Sequence, residues 1–220
     1  MNITQHLLPD SQHLPTKTPK HQIVIHHTAG NSDPIQVIDG WAADTARIAT
    51  PYIIGGKSSA GDTKYDGVVA KAFDPEWDAY HLGQVPGDPK NITRTSFGIE
   101  ICNWGYLTVK GGQYYNYVNK VVPPDQVVDL GFKYRGYQYW HAYTDVQLAS
   151  LHDLLVALIK NRFHWSYKVK NWDVKSFDFN PTFFAADSIG THANYRTDKW
   201  DCSPQPKLIE MLNGLNSELI

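Results

Sequence analysis

The sequence predicts a single α/β domain in which helices flank a central mixed β-sheet. Its 220 residues are typical of one domain, and 42% of them are hydrophobic, which is enough to form a core. Short apolar segments with strand character alternate with segments of helical periodicity, which favours an α/β arrangement. Residues 1–20 contain Pro9, Pro15 and Pro19 and are expected to form an irregular lead-in, so that the domain spans residues 21–216.

The predicted strands are apolar segments bounded by polar residues, glycine or proline. They read HQIVIHH, PYIIGG, DGVVAKAFD and SFGIEICN. In the last of them, alternation places Ile99 and Ile101 on one face, and Gly98, Glu100 and Cys102 on the opposite face. The sheet is therefore expected to bury the isoleucines and to leave Glu100 facing away from that side of the core.

Three helices are predicted. The first begins with Asp33 as its cap and Pro34 as its first residue. The clearest one follows Thr144, which forms a capping box with Gln147. Its expected buried stripe consists of Leu148, Leu151, Leu155, Leu158 and Ile159. The segment PQPKLIEMLNGL is expected to form a short helix near the end of the chain.

The aromatic middle of the chain is harder to assign. The segment YLTVKGGQYYNYV is predicted to be a hairpin with two glycines at its turn. The following stretch, VVPPDQVVDLGFKYRGYQYWHAY, is expected to be a loop, and residues 163–190 show no clear element. The 13 Tyr and 7 Trp residues can pack a core, but such residues also line grooves that bind sugars and peptides.

Charge and composition argue against several classes of protein. A formal charge of −2 and the absence of a polybasic cluster argue against a nucleic-acid or anionic-membrane partner. No apolar run is long enough for a transmembrane helix, and the N-terminus lacks the pattern of a signal peptide. We therefore expect a protein that is made in the cytoplasm, acts as a monomer and contains no membrane segment. The two cysteines, Cys102 and Cys202, allow one disulfide but do not require it.

Histidine and acidic residues near both ends of the chain form a candidate metal site. The strand IVIHHTAG ends with His26 and His27, whose side chains point to opposite faces. The segment THANYRTDKWDCSP contributes His192 and two candidate ligands, Asp201 and Cys202. Two imidazoles and one carboxylate are a typical ligand set for catalytic zinc, which keeps a fourth position open.

Hydrolysis at such a site also needs a base and a positive group. Glu100 is the candidate base for the proton of the attacking water. Lys199 is the candidate partner for the negative charge that develops on the carbonyl oxygen. Each residue taken alone has an ordinary alternative, since Glu100 could form a surface salt bridge and Lys199 could be a solvated loop charge.

In chain order, five segments resemble the zinc-dependent N-acetylmuramoyl-L-alanine amidases, a superfamily that includes phage endolysins, bacterial anhydromuropeptide amidases and animal peptidoglycan recognition proteins. The segments are IVIHHTAG, AYHLG, SFGIEICNWG, YTDVQLASLHDLL and HANYRTDKWDCSP. The resemblance covers about residues 21–210, and we interpret stretches near 104–141 and 163–188 as insertions. It implies an amidase-like or recognition-protein-like fold, a Zn²⁺ cofactor, and hydrolysis of the amide between N-acetylmuramic acid and L-alanine in peptidoglycan.

The resemblance also implies roles for single residues. The first histidine of the HHT motif and the loop histidine are zinc ligands, which selects His26 and His192. The third ligand in the family is Asp or Cys two residues after a lysine, which selects Asp201. A thiolate is the softer zinc ligand, so the chemistry by itself would favour the neighbouring Cys202, which stands where the family usually has proline.

Further matches concern catalysis and substrate. Glu100 matches a glutamate implicated as the base, and Lys199 matches a lysine that stabilises the transition state. Thr50 stands where some phage members carry a catalytic tyrosine, which favours Glu100 as the base. His81, in AYHLG, matches a groove histidine expected to contact substrate.

Two kinds of function fit these patterns. The first is a zinc amidase that lyses or trims peptidoglycan, and the alternative is a non-catalytic peptidoglycan-binding module of the same fold. A pure binder has no need for Glu100 and Lys199, which favours the enzyme. Both a bacterial recycling enzyme and a phage endolysin released by a holin fit, and we prefer the endolysin.

Overall fold

Two β-sheets are present in the structure, a computed structural model that describes residues 2–30, 32–88, 91–167, 170–185 and 187–219. The strands are β1 (Ile3–Gln5), β2 (Gln22–His27), β3 (Tyr52–Ile54), β4 (Val69–Lys71), β5 (Ser96–Ile101), β6 (Tyr106–Lys110), β7 (Gln113–Tyr115), β8 (Val121–Val122), β9 (Val127–Tyr134), β10 (Tyr137–His141) and β11 (Ser188–Thr191). The first sheet has the order β1-β4-β3-β5-β2-β11, and the second has the order β8-β7-β6-β10-β9.

Five helices accompany the sheets in the described part of the chain. They are α1 (Pro34–Ala42), α2 (Ile92–Thr95), α3 (Asp145–Val156), α4 (His192–Tyr195) and α5 (Pro206–Leu219). Short 3₁₀ turns occupy Asp10–Gln12, Pro124–Gln126, Val174–Phe177 and Pro181–Phe184. No helix in the described ranges combines the length and the apolar character needed to cross a membrane.

The central sheet is mixed, which confirms the predicted fold class. β3 and β4 pair antiparallel, and the other neighbouring strands of this sheet pair parallel. β2 and β5 are neighbouring interior strands of the sheet, and both are buried along nearly their whole length. Parallel strands are buried on both faces by the elements that connect them, which explains their continuous apolar character.

Helices cover both faces of this sheet. The predicted stripe of α3 is buried, with Leu151 and Leu155 fully inaccessible, and it packs in one core with Leu208, Leu212 and Leu215 of α5. A smaller core on the other side joins Ile38 of α1 to residues of β3 and β4. The sheet is thus a fixed platform for side chains at the ends of its strands.

The predicted helix starts are confirmed. The Asp33 carboxylate accepts hydrogen bonds from the backbone of Ile35 and Gln36, and Pro34 is the first residue of α1. Thr144 and Gln147 form the reciprocal capping box of α3. After Val156, the helix continues as a π-helical turn over Ala157–Phe163, which the sequence pattern did not indicate.

The aromatic middle forms the second sheet, and here one prediction was wrong. The hairpin of β6 and β7 turns at Gly111 and Gly112, both of which have positive φ, as expected. The next stretch was expected to be a loop, but β9 and β10 form a second hairpin that turns at Arg135–Gly136, again with two positive φ values. Its aromatic arms lack a clean alternation, so only the glycine at the turn marked the hairpin.

The N-terminal segment is less irregular than expected. β1 adds a parallel edge strand to β4, which corrects the prediction of an irregular lead-in. Further along, the Lys20 ammonium lies 2.6 Å from the Asp78 carboxylate, with both side chains buried. The same carboxylate accepts hydrogen bonds from the hydroxyl groups of Thr16 and Thr18. These contacts attach the segment to the domain before β2 begins.

β11 was not predicted either. It lies in the stretch 163–190, where Lys168, Val169 and Ala186 are outside the described residues. Its four residues pair in parallel with the first part of β2, with Thr191 opposite Ile25. This pairing brings the end of β11 beside the histidine pair at the end of β2. Both cysteines are free and buried, so the optional disulfide is not formed.

Candidate functional site

Three side chains meet at the end of β2. The Nδ1 atoms of His26 and His192 lie 3.1 Å apart, and each lies 3.0 Å from Oδ2 of Asp201. Among the described residues, these three form the one group of histidine, cysteine and acidic side chains close enough to share a metal ion. Both imidazoles are buried, and the Asp201 side chain is 15% exposed.

Local structure explains how the distant residues meet. His192 is the first residue of α4, and Thr191 and Asn194 form the capping box that starts this helix. The loop after α4 returns to its start, because the Ala193 amide donates a hydrogen bond to the Asp201 carbonyl oxygen. The eight residues between His192 and Asp201 therefore form a loop that closes on its own start.

The donor atoms fit a small divalent cation. A tetrahedral zinc ion with bonds of about 2.0–2.1 Å holds its ligand atoms roughly 3.3–3.4 Å apart. The observed separations of 3.0 and 3.1 Å differ from this by a few tenths of an ångström. A hydrogen bond on the opposite side of the ring orients His192, since its Nε2 lies 3.3 Å from the carbonyl oxygen of Leu82. A carbonyl only accepts, so Nε2 carries the proton and Nδ1 keeps a lone pair for a metal.

The pKa shifts of His26 and Asp201 favour the protonation states that bind a metal ion. Burial and the neighbouring His192 lower the pKa of His26 from 6.5 to about 4, so its ring is neutral at pH 7. Burial by itself raises the pKa of Asp201, but the neighbouring His192 and His26 outweigh this effect, and the net pKa lies well below 3.8, so the carboxylate is ionised at pH 7. A neutral imidazole and an ionised carboxylate are the protonation states that bind metal.

Glu100 lies on the same face of the sheet as His26. The two residues are direct partners in the register of β2 and β5. Gly98 makes room there, because a Cβ at this position would lie 3.1 Å from the His26 ring and 2.4 Å from Thr50. Oε2 of Glu100 is buried without a hydrogen-bond partner in the described structure. Such an atom is uncommon in native proteins and is typical of sites that bind a water, an ion or a substrate.

The charge state of Glu100 depends on its neighbours. Burial raises the pKa of this carboxyl well above 4.5, the charge of Asp201 raises it further, and the Lys199 ammonium opposes both effects. A cation at the three ligands would add positive charge that favours the ionised carboxylate. A carboxyl whose pKa is raised by burial and opposed by a nearby ammonium is suited to exchanging a proton with a bound water.

Lys199 borders a cavity of about 310 Å³ beside the ligands. Asp201 and His27 line the same cavity, and its wall is aromatic. Trp200 stands between Lys199 and Asp201 in the chain, and its ring contacts Tyr106, with ring centroids 5.2 Å apart. This contact attaches the loop that carries both charged residues to the second sheet.

His27 points to the other face of β2, as alternation predicts. Its Nδ1 lies 3.2 Å from the Tyr143 hydroxyl, and Nε2 is held against Gly105. His27 is therefore separate from the group of three ligand atoms, although it lines the neighbouring cavity. Cys202 is also separate from this group, since it is fully buried and its thiol is paired with Tyr143.

His81 is buried beside His26. It is 7% exposed, and its Nδ1 and Nε2 lie 3.1 Å from Nε2 of His26 and 2.9 Å from Oγ of Ser96. Both ring nitrogens therefore have protein partners, and contact of His81 with substrate stays a prediction. Burial, then the neighbouring His26, holds the pKa of His81 well below 6.5, so this ring is neutral. No sequence pattern marked Ser96, since a serine at the start of a strand is common.

Comparisons with known proteins agree with this geometry. A family profile described as N-acetylmuramoyl-L-alanine amidase matches residues 16–206. Three solved structures share the fold. PlyL is 12% identical, with 98% of each chain covered and a TM-score of 0.53. A mutant endolysin from Bacillus subtilis is 13% identical, with 100% of this chain and 99% of that chain covered and a TM-score of 0.52. An AmpD derivative is 16% identical, with 96% and 93% covered and a TM-score of 0.51.

No curated protein sequence matches the chain. At these low identities the solved structures show a shared fold, and the family profile carries the assignment because it covers most of the chain. The chain belongs to the N-acetylmuramoyl-L-alanine amidase family, hydrolases of the amide bond between N-acetylmuramic acid and L-alanine in peptidoglycan.

Proposed function

We propose that this amidase depends on zinc and that His26, His192 and Asp201 are its protein ligands. The observation that carries the proposal is the triangle of two imidazole nitrogens and one carboxylate oxygen, with edges of 3.0 and 3.1 Å. Two nitrogens and one oxygen suit zinc, and three protein ligands leave one position for water or substrate. The ionised carboxylate and the neutral imidazole of His26 support this ligand set.

Glu100 is the proposed proton carrier. When bound, zinc polarises a carbonyl group and lowers the pKa of water toward 7. The Glu100 carboxylate accepts a proton from the attacking water and delivers it to the nitrogen of L-alanine. One C–O bond forms and the C–N bond breaks, so the products are the lactyl carboxylate and the free amino group. The buried, unpartnered Oε2 on the face of His26 supports this role.

Lys199 is the proposed partner of the carbonyl oxygen. Its positive charge acts on Glu100, and it lines the cavity that also contains Asp201. An ammonium at this position stabilises the negative charge that develops on the carbonyl oxygen as the amide is attacked. In this proposal, Glu100 moves the proton and Lys199 stabilises the charge.

The cellular setting is also a proposal. We infer a phage endolysin that is made in the cytoplasm, reaches peptidoglycan after release by a holin, and acts as a monomer. The fold shared with a mutant endolysin from Bacillus subtilis supports the assignment as an endolysin. A bacterial enzyme that recycles muropeptides remains the competing assignment.

The test is hydrolysis of purified sacculi. We expect new L-alanine amino groups to be released by the protein as purified, no release after dialysis against a chelator, and recovery on addition of one equivalent of zinc. Binding to sacculi without release, at any zinc level, would establish the non-catalytic binding module instead. Release that a chelator does not affect would remove zinc from the proposal and leave the amidase activity in place.

A further inference from the structure

A chain of buried hydrogen bonds runs from His26 into the protein. Nε2 of His26 lies 3.1 Å from Nδ1 of His81, and Nε2 of His81 lies 2.9 Å from Oγ of Ser96. The Ser96 hydroxyl contacts the backbone carbonyl oxygen of Ile92 at the start of α2. The side chains of His26, His81 and Ser96 are all at least nine-tenths buried, so bulk water does not compete for these bonds.

The carbonyl at the end of this chain fixes the direction of every bond. A carbonyl oxygen only accepts, so the Ser96 hydroxyl donates its one proton to Ile92. The lone pairs of Oγ then accept a proton from Nε2 of His81. A neutral imidazole has one N–H, which leaves Nδ1 of His81 as an acceptor. Because Nδ1 of His81 is the acceptor, the hydrogen bond between the two histidines requires Nε2 of His26 to carry the proton.

The same reasoning applied to His192 gives the same result by a separate route. Its Nε2 faces the carbonyl oxygen of Leu82 at 3.3 Å. Both imidazoles therefore keep their proton on the outer nitrogen, and both Nδ1 lone pairs point at Oδ2 of Asp201. Three unprotonated donor atoms that face one another at 3.0–3.1 Å repel until a cation lies among them.

We propose that His81 and Ser96 are positioning residues that hold His26 in the Nε2–H tautomer, with its Nδ1 lone pair committed to the metal. The proposal rests on the ligand role of His26 in the proposed function, and it assigns His81 to the support of a ligand instead of to the substrate. Partners of this kind that orient a metal-binding histidine are typically worth about 10–100-fold in metal affinity.

Zinc affinity measured by competition with a chelator tests the proposal without any assay of activity. His81→Leu removes the acceptor, and we expect roughly 10–100-fold weaker zinc binding. His81→Asn places an amide oxygen near the position of Nδ1, and we expect it to restore most of the affinity. Ser96→Ala should weaken binding by a smaller factor. The matched control is His13→Leu, a buried histidine that packs on Trp77 away from the site and should leave affinity unchanged.

Nitrogen-15 NMR of the zinc-loaded wild type provides a second measurement that does not require a variant to fold. We expect Nε2 of His26 to carry a proton and Nδ1 to be metal-bound. Coordination through Nε2, or wild-type affinity in a folded His81→Leu protein, would overturn the proposal. If the wild type itself binds no zinc, the positioning role and the proposed function both fail. If His81→Leu shows normal zinc-dependent hydrolysis and unchanged zinc affinity, only the positioning role is refuted.

Discussion

His26 and Glu100 are direct partners on the parallel strands β2 and β5, and their side chains share one face of the sheet. The register thus places a proposed zinc ligand beside the proposed base. A rigid, buried pair of strands keeps this relation fixed, which is what a proton transfer at a metal-activated site requires.

The ligand roles of the histidine pair predict opposite effects of neighbouring substitutions. His26→Ala and His192→Ala should each abolish stoichiometric zinc and hydrolysis, because two remaining ligands do not hold a catalytic ion tightly. His27→Ala should retain the metal, since its ring faces Tyr143 on the other side of the strand. Metal analysis of the purified variants checks this. Zinc in His26→Ala together with a metal-free His27→Ala would reverse the assignment.

Glu100→Gln should keep the fold and the zinc but lose roughly 10²–10⁴ in rate, because the amide cannot accept the proton of water. The substitution preserves the shape of the side chain beside Gly98. Turnover on sacculi and metal content are measured on the same preparation. Wild-type turnover in this variant would remove Glu100 from the mechanism.

Lys199→Ala should lose on the order of 10²–10³ in rate with zinc retained, because the carbonyl oxygen loses its positive partner. Lys207→Ala, which removes an exposed lysine paired with Asp145, is the matched control and should leave the rate unchanged. If Lys199→Ala instead loses its metal, the lysine serves the structure of the loop.

The choice between Asp201 and Cys202 has a spectroscopic test. The structure turns the Asp201 carboxylate toward both imidazoles and buries the Cys202 thiol beside Tyr143. A cobalt-substituted protein should therefore lack the intense near-ultraviolet band of a cobalt–thiolate bond. A band that appears in the wild type and disappears in Cys202→Ser would make the cysteine the ligand.

The buried pair of Lys20 and Asp78 predicts how stability depends on pH. Burial by itself raises the pKa of Asp78, but hydrogen bonds from Lys20 and the nearby threonines outweigh it, and the net pKa lies below 3.8. Asp78 therefore contributes stability that is fully present above pH 3.8 and is lost as the pH falls through the lower pKa of the folded state.

Substitution of Asp78 tests this contribution by urea unfolding at several pH values. Asp78→Asn should lower the free energy of unfolding at neutral pH by about 3–5 kcal/mol, because it leaves Lys20 buried without a counter-charge. The loss should shrink below pH 3.8. Asp145→Asn, in an exposed ion pair, is the control and should cost less than about 1 kcal/mol. Equal effects of the two substitutions would show that the buried pair is energetically unimportant.

The sequence by itself determined the features that rest on local chemistry. Asp33 before Pro34 and Thr144 before Gln147 fixed two helix starts, since capping depends on residues a few positions apart. Alternation put His26 and His27 on opposite faces of one strand. The β9–β10 hairpin escaped prediction because its aromatic arms follow no clear period, so that only Gly136 at the turn marked it.

Only the tertiary structure decided what the site contains. His26 and His192 are 166 positions apart, and they meet because β11 pairs with β2, a contact that no local pattern encodes. The support of His26 by His81 and Ser96 has the same origin, since the hydrogen bond that joins the two histidines spans 55 positions. Residue types and spacing predict which chemistry a chain can perform, whereas strand pairing and burial determine which atoms face one another.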